Sequence, residues 1–185
     1  MIGAGLTDWS AAWPAWNNYN PIETTGNSNG DGNVTANTSG GDGVVGSYMS
    51  YRGIENFFGH LWKWVDGFNI NDNIPYVNNT EAQFADGTAT NYTRLEDTGG
   101  SGVTLINADG YQTTLEQIQR GFLPSAVVGG SSLTYITDYH YQAAGWRVAY
   151  LGGYAHYGSQ AGFFCWRLSS SSGYRYRSIS GRLCF

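Results

Sequence analysis

The spacing of apolar residues changes partway through residues 48–70 of this chain. In the first part, apolar residues recur every three or four positions, as on one face of a helix: Ile54, Phe57, Phe58, Leu61, Trp62 and Val65. Gly59 interrupts this spacing. Beyond it, Trp62, Trp64 and Asp66 also fit the alternation of a strand. The pattern predicts a short helix, a break at Gly59 and then a strand.

A second short helix is predicted over residues 113–120. Thr113 and Glu116 have the spacing of a capping box, in which two side chains satisfy free N–H groups at a helix N-terminus. Leu115 and Ile118 lie at helical spacing in the same segment. A local helix is therefore expected here.

Residues 146–185 are predicted to form strands separated by glycine- and serine-rich turns. Four runs are rich in aromatic and β-branched residues: WRVAYL, FFCWRL, YRYRSI and RLCF. The turns between them fall at 152–162 and 169–173. Earlier in the chain, residues 71–100 are predicted to be loops with short strands. The expected fold class is α+β, with short helices, long loops and a C-terminal antiparallel β-meander.

The N-terminal part of the chain has a different composition. Residues 1–22 carry four aromatic rings among small and polar residues: Trp9, Trp13, Trp16 and Tyr19. They predict an aromatic strap across the domain or across a neighbouring subunit. Residues 24–47 are almost entirely Gly, Asn, Ser, Thr and Asp, which predicts a polar loop. The expected organisation is one domain, in which the strap and loop of 1–47 precede a folded unit at 48–185.

Composition narrows the possible function classes. Charged residues make up 12% of the 185-residue chain, about half the usual share of roughly 25%. Aromatic residues make up 16%, which is enough ring area for a core and excludes a wholly disordered chain. The net charge of −5 argues against a general nucleic-acid binder. No apolar run approaches the roughly 20 residues of a membrane span, and no signal-peptide pattern begins the chain, so neither is expected.

The charges are unevenly distributed along the chain. Residues 146–185 contain no acidic residue and five arginines: Arg147, Arg167, Arg175, Arg177 and Arg182. The preceding residues hold the other four basic side chains and all fourteen acidic ones. Either the basic segment meets a partner of its own, or its arginines pair with acids of the same domain.

Cysteine and histidine show no recognisable catalytic or metal-binding pattern. Cys165 and Cys184 do not make a disulfide framework, and two buried reduced thiols are favoured over a pair. His60, His140 and His156 lack the spacing of metal ligands. No enzymatic activity, cofactor or metal is therefore expected.

Three segments carry a resemblance to a known family. They are YRGIENFFGHLWKWVDG at 51–67, GFLPSAVVGGSSLTYITDYHY at 121–141, and WRVAYLGGYAHYGSQAGFFCWRL followed by SGYRYRSISGRLCF in 146–185. As a set they resemble phage minor structural and tail-fibre proteins. The last block is also similar to the variable proteins of diversity-generating retroelements. Those proteins have a C-type-lectin-like fold, shared with formylglycine-generating enzymes, so the resemblance implies that fold and either ligand binding or oxidation.

The resemblance to the variable proteins implies a set of binding residues near the C-terminus. By position they are Tyr154, His156, Tyr157, Gln160, Trp166, Tyr174, Tyr176 and Ser178. Tyrosine offers a large rigid contact area at low entropic cost, and serine and glycine let a loop adapt. Period-two spacing places Tyr174, Tyr176 and Ser178 on one sheet face.

The alternative is that these rings form the inner face of the sheet. That inner position is favoured for Trp166, which lies within a strand-like run. Exposure is favoured for Tyr154, His156 and Tyr157, which lie among glycines in a turn.

The sequence lacks the cysteine motif that an oxidase of this family would need. Formylglycine-generating enzymes use two closely spaced cysteines near the C-terminus, whereas Cys165 and Cys184 are nineteen positions apart. The run GHLWKW resembles their Gly-Asn-Val-Trp-Glu-Trp motif but departs from it at His60 and Lys63. Of the two functions that the resemblance implies, non-enzymatic ligand binding is therefore favoured over oxidation.

The resemblance implies a receptor-binding (adhesin) domain of a phage tail fibre or tail tip, which recognises a bacterial surface glycan or protein. The expected location is the virion. The expected partners are that receptor and other tail-fibre subunits, with a homotrimer as the arrangement the family implies. Three alternatives stay open: a formylglycine-generating-enzyme-like oxidase, a structural virion decoration module, and a bacterial surface adhesin of the same fold.

Overall fold

A computed structural model describes residues 34–39, 45–52, 54–134, 136, 138–154, 157, 160–176 and 178–180, with the backbone alone described at 34–39, 45–51 and 55. The strands are β1 (Val34–Ser39), β2 (Val45–Tyr51), β3 (Ile54–Glu55), β4 (Trp62–Asn71), β5 (Ile74–Val77), β6 (Thr93–Arg94), β7 (Gly110–Tyr111), β8 (Thr114–Ile118), β9 (Gly121–Ala126), β10 (Tyr139–Gln142), β11 (Trp146–Leu151), β12 (Trp166–Ser170) and β13 (Ile179–Ser180). Helical structure among these residues consists of short 3-10 turns, such as Glu81–Gln83. No helix within them has the length and apolar character needed to cross a membrane.

Eight strands form the main sheet. Neighbours are hydrogen-bonded in the order β6-β5-β4-β11-β12-β10-β7, and β13 pairs with β4 outside this path. The sheet is mixed, because β10–β12 and β13–β4 are parallel whereas the other pairs are antiparallel. A separate sheet contains β1, β2 and β3, and β8 and β9 form a hairpin. Strands that are distant in sequence therefore meet at the centre of the main sheet.

The expected α+β class is wrong, and with it the C-type-lectin-like fold, because the described residues form a predominantly β structure. The first predicted helix does not form, and Asn56 within it has a positive φ of 51°. The N–H of Gly59 donates to the carbonyl of Gly152 at 2.9 Å, and that of Trp62 donates to Ser178 at 2.8 Å. Ile54 and Glu55, which lie within the predicted helix, instead pair with Tyr51 and Ser50 of β2.

The second predicted helix is also wrong, because this segment forms a hairpin. Thr114–Ile118 pairs antiparallel with Gly121–Ala126 across a two-residue turn at Gln119 and Arg120. The N–H of Gln119 donates to the carbonyl of Glu96 at 3.1 Å, which attaches the turn to a neighbouring segment. Cross-strand pairing therefore overrides the local helix signal.

The strand predictions have mixed outcomes. The strand after Gly59 is confirmed as β4, WRVAYL as β11, and the short strands expected within 71–100 as β5 and β6. The loop predicted at 24–47 is wrong where the chain is described, because β1 pairs with β2. The closing meander is also wrong, since β13 is two residues long and runs parallel to β4. The N-terminal strap and RLCF lie outside the described residues.

The main sheet has two chemically distinct faces. The first, which we refer to as the tyrosine face, has a core that tyrosines surround: Trp62, Val148, Tyr150 and Cys165. The opposite face has an aliphatic core: Ile70, Leu105, Ala149 and Leu168. Val148, Ala149 and Tyr150 alternate between the two cores, as neighbours in a strand do.

An irregularity in β4 moves its side chains from one face to the other. The pairing of β4 with β11 shifts register around residues 66–68. Gly67 has a φ of +74°, and a Cβ at this position would lie 2.5 Å from the carbonyl oxygen of Asn78. Only glycine fits such an approach. The irregularity explains why Trp62 and Ile70, which simple alternation places on one face, lie on opposite faces.

Candidate functional site

The tyrosine face holds several candidate rings in one cluster. Trp62 lies at its centre, with the ring centroid of Tyr157 at 5.6 Å in an edge-on arrangement and that of Tyr154 at 6.4 Å. Tyr141, on β10, lies 5.5 Å from Tyr157. Aromatic pairs of this kind contribute about 0.5–1.5 kcal/mol each beyond their buried area. The cluster therefore forms a rigid aromatic base.

The loop after β11 is folded back onto this base. The N–H of Gly152 donates to the carbonyl of Cys165 at 2.9 Å. Gly153 has a φ of +72°, and a Cβ on it would lie 2.6 Å from the Cβ of Ala161. Because glycine alone permits both the conformation and the approach, these contacts fix the path of the loop.

Arg167 ties the loop to the sheet. Its Nη1 donates to the hydroxyl of Tyr157 at 2.7 Å, and its guanidinium carbon lies 5.4 Å from the ring centroid of Tyr141. The hydroxyl of Tyr141 in turn donates to Oε1 of Gln160 at 2.9 Å. The guanidinium of Arg167 therefore contacts the loop through Tyr157 and the sheet through Tyr141.

Burial favours the protonated, uncharged form of the tyrosine hydroxyls and of the cysteine thiol in this cluster. It raises the pKa of Tyr154 to about 12. It also raises the pKa of Tyr141 and of Tyr157, against the opposing charge of Arg167 in the second case. Burial likewise raises the pKa of the Cys165 thiol. At neutral pH these groups are uncharged, so they take part in hydrogen bonds as neutral groups.

Tyr174 and Tyr176 form the exposed part of the aromatic surface, and we refer to them as the tyrosine pair. Their side chains are 40% and 45% exposed. Their ring planes are 19° apart and their centroids 6.3 Å apart. The ring of Tyr174 also lies 6.5 Å from that of Tyr150 in the core. The pair thus offers two nearly parallel rings at the surface, next to a buried ring.

The eight predicted binding residues do not share one surface. Two of them are the exposed tyrosine pair. Three are half-buried: Tyr154, Tyr157 and Gln160. The expected exposure is wrong for Tyr154 and Tyr157, because their rings pack against the core of the tyrosine face.

The other three predicted residues lie elsewhere. Ser178 is only 5% exposed, so it does not join a common exposed face with the tyrosine pair, and residues 171–176 do not form a strand. Trp166 lies on the opposite face of the main sheet, 5.9 Å from the ring of Phe68, which agrees with the inner-face alternative. His156 lies outside the described residues.

Sequence reasoning missed the residues that build the aromatic base. Trp64 lies edge-on to Tyr150 at 4.3 Å, and the rings of Tyr139 and Tyr141 are 4.6 Å apart. The available signal was the alternation of rings in the runs WKW and YHY, since alternation places every second side chain on one face.

His140 is a core residue of β10 with no exposed surface. Burial lowers its pKa to about 4, and the charge of Asp109 has a smaller opposing effect. The imidazole is therefore neutral at neutral pH. In the part of the chain that the structure describes, no group of three or more His, Cys, Asp or Glu side chains could hold a metal ion.

Comparisons of the chain with protein-family models, with curated proteins and with solved structures find no match. The resemblance to phage tail-fibre proteins and to retroelement variable proteins therefore stays a prediction from the sequence.

Proposed function

We propose that this chain is a non-enzymatic receptor-binding domain that attaches to a bacterial surface glycan through the tyrosine pair. The observation that carries the proposal is the exposure of two nearly parallel rings, 19° apart in plane, on a segment joined to a buried aromatic base. Exposed aromatic side chains are enriched at contact surfaces, because burying them on binding releases more free energy than burying most other side chains.

The chemistry around the tyrosine pair suits a sugar. An aromatic ring packs against the C–H face of a pyranose, and neighbouring polar groups bond to the sugar hydroxyls. Arg175 lies between the two tyrosines, and Ser171 and Ser172 precede them, all of them exposed. Tyrosine also loses little rotamer entropy on binding, so each ring is an efficient contact.

The segment that carries the pair is held at both ends. The N–H of Tyr174 donates to the carbonyl of Ser171 at 3.1 Å, and that of Ile179 donates to Tyr176 at 3.2 Å. Ile179 then pairs with Trp62 in β4. A surface whose rings are held in place before the ligand arrives loses less entropy on binding.

The proposal extends to the particle that carries the domain. The resemblance of three segments to phage tail-fibre proteins supports a location at a tail fibre or tail tip of a virion. Other tail-fibre subunits would then be its partners, with three copies meeting as a homotrimer. The bacterial receptor would be bound noncovalently, without a cofactor.

Adsorption to intact bacteria tests this function. Fluorescently labelled protein is titrated at micromolar concentration onto a panel of strains, with the heat-unfolded protein as the control. We expect saturable adsorption to some strains, which periodate oxidation of surface glycans removes and protease treatment leaves unchanged. Loss of adsorption after protease treatment alone would make the receptor a protein, and absence of saturable adsorption throughout the panel would contradict the proposal.

A further inference from the structure

A cleft of about 310 Å³ lies on the side of the main sheet opposite the tyrosine face. It is formed between the β8–β9 hairpin and residues of β4 and β12, and most of its lining is apolar. The principal lining side chains are Phe68, Leu95, Ile118, Phe122, Leu123 and Trp166. Small-molecule sites are typically apolar clefts of about 300–1,000 Å³ with a few polar groups, so this cleft has the size of a small one.

Phe122 is the most exposed of these rings. Its side chain is 65% exposed, although a large apolar side chain on a hairpin is ordinarily covered. Leu123, the next residue, packs against the aliphatic core and so attaches the hairpin to the sheet. An apolar ligand in the cleft would cover Phe122 without moving the hairpin.

The polar groups that line the cleft are Arg120 and Asn79. Arg120 lies in the hairpin turn, and it makes no ion pair or hydrogen bond with any other residue that the structure describes. Glu96, on the segment beside the turn, accepts a hydrogen bond from Nε2 of Gln119 at 3.3 Å instead. The apolar cleft therefore has an unpaired cation at its side.

We propose that this cleft binds a small amphiphilic anion, in which an aliphatic or aromatic group fills the cleft and a carboxylate or sulfonate meets Arg120. Asn79 is the other polar side chain of the lining. This site is separate from the tyrosine pair, because the main sheet lies between them, and it gives Trp166 a role that does not involve the surface receptor.

Fluorescence titration with anilinonaphthalene sulfonate tests the site, since this probe combines an apolar ring system with an anion. We expect one saturable site per folded chain, from which octanoate displaces the probe at least about tenfold better than octanol does. Arg120→Gln and Phe122→Ser should each weaken probe binding about tenfold. Neither side chain is buried, so both variants should keep the unfolding midpoint of the parent protein.

Two matched variants separate this site from general surface binding. Arg52→Gln removes an exposed arginine, and Val128→Ser removes an apolar side chain that is 86% exposed, in both cases outside the cleft lining. Both should leave probe binding unchanged. Absence of a saturable site, equal displacement by octanol, or equal losses in the control variants would overturn the proposal. Adsorption to bacteria is measured separately on Arg120→Gln. The proposal for the cleft and the proposal for the tyrosine pair can therefore be contradicted independently of each other.

Discussion

Nη1 of Arg167 donates a 2.7 Å hydrogen bond to the hydroxyl of Tyr157, and this bond joins the loop after β11 to strand β12. The same guanidinium lies over the ring of Tyr141, so one cation contacts two tyrosines. The most basic segment of the chain thus has at least one arginine engaged inside the domain. The free cations that could face a ligand are those on exposed segments, such as Arg175.

The bond between Arg167 and Tyr157 predicts energetic coupling between these residues. We expect Tyr157→Phe and Arg167→Met each to lower the free energy of unfolding by about 1–3 kcal/mol, because each leaves a polar partner unpaired. The double variant should lose less than the sum, by at least about 0.5 kcal/mol. Urea denaturation of the four proteins measures this coupling, and strictly additive losses would show that the bond does not contribute.

The close approach of Gly153 to Ala161 predicts a large cost for any side chain there. Gly153→Ala adds a Cβ that would lie 2.6 Å from the Cβ of Ala161. Gly129→Ala is the matched control, because Gly129 has a similar φ of +78° with nothing within 4 Å of the added atom. The first variant should be less stable than the second by about 1–3 kcal/mol in urea denaturation. Equal stability of the two variants would mean that the loop is not closed in this way.

The burial of His140 predicts a pH-dependent stability. Its pKa is about 4 in the folded protein and 6.5 in a solvated chain. Between these values the unfolded state binds more protons, so this residue lowers the free energy of unfolding as the pH falls from 6.5 towards 4. The full effect is about 3 kcal/mol.

NMR titration of the imidazole resonances measures the pKa of His140 directly, and His140→Asn assigns the signal. We expect no protonation shift at pH 6. A midpoint near 6.5 in the folded protein would contradict burial of this ring.

The position of Cys165 predicts an unreactive thiol. The residue has no exposed surface, and burial raises its pKa well above that of an ordinary cysteine, with a further contribution from Asp138. Iodoacetamide should therefore leave Cys165 unmodified in the native protein and alkylate it in urea. Peptide mapping by mass spectrometry locates the modified residue. Rapid native alkylation at Cys165 would show that the loop covering it opens readily.

The sequence predicts strands where aromatic and β-branched residues alternate without interruption, as in β11 and in the first part of β4. It does not predict what replaces the two expected helices, because Ile54–Glu55 forms a strand paired with β2 and Thr114–Ile118 forms a strand paired with β9. The register shift at Gly67 also depends on a contact with Asn78 across the strand pair. Local spacing carries no information about such partners.

The candidate site is predictable only in part for the same reason. Composition identifies a tyrosine-rich segment, but the exposure of each ring depends on whether the fold places it against the core. Tyr154 and Tyr157 meet Trp62 and are half-buried, whereas the rings of Tyr174 and Tyr176 stack on each other and stay exposed. Trp166 is on the other face because it is next to Arg167 in a strand.

The binding isotherm of a Tyr174→Ser, Tyr176→Ser double variant on an adsorbing bacterial strain tests the central claim most directly. The matched control is the Val128→Ser, Leu133→Ser double variant, which removes two side chains that are 86% and 93% exposed in the segment between β9 and β10. The tyrosine variant should stay folded, with the free energy of unfolding lowered by about 1–3 kcal/mol through loss of the ring contacts with each other and with Tyr150, and it should bind at least about tenfold more weakly than the parent protein. The control should bind as the parent protein does. Undiminished binding by a folded tyrosine variant would contradict the account.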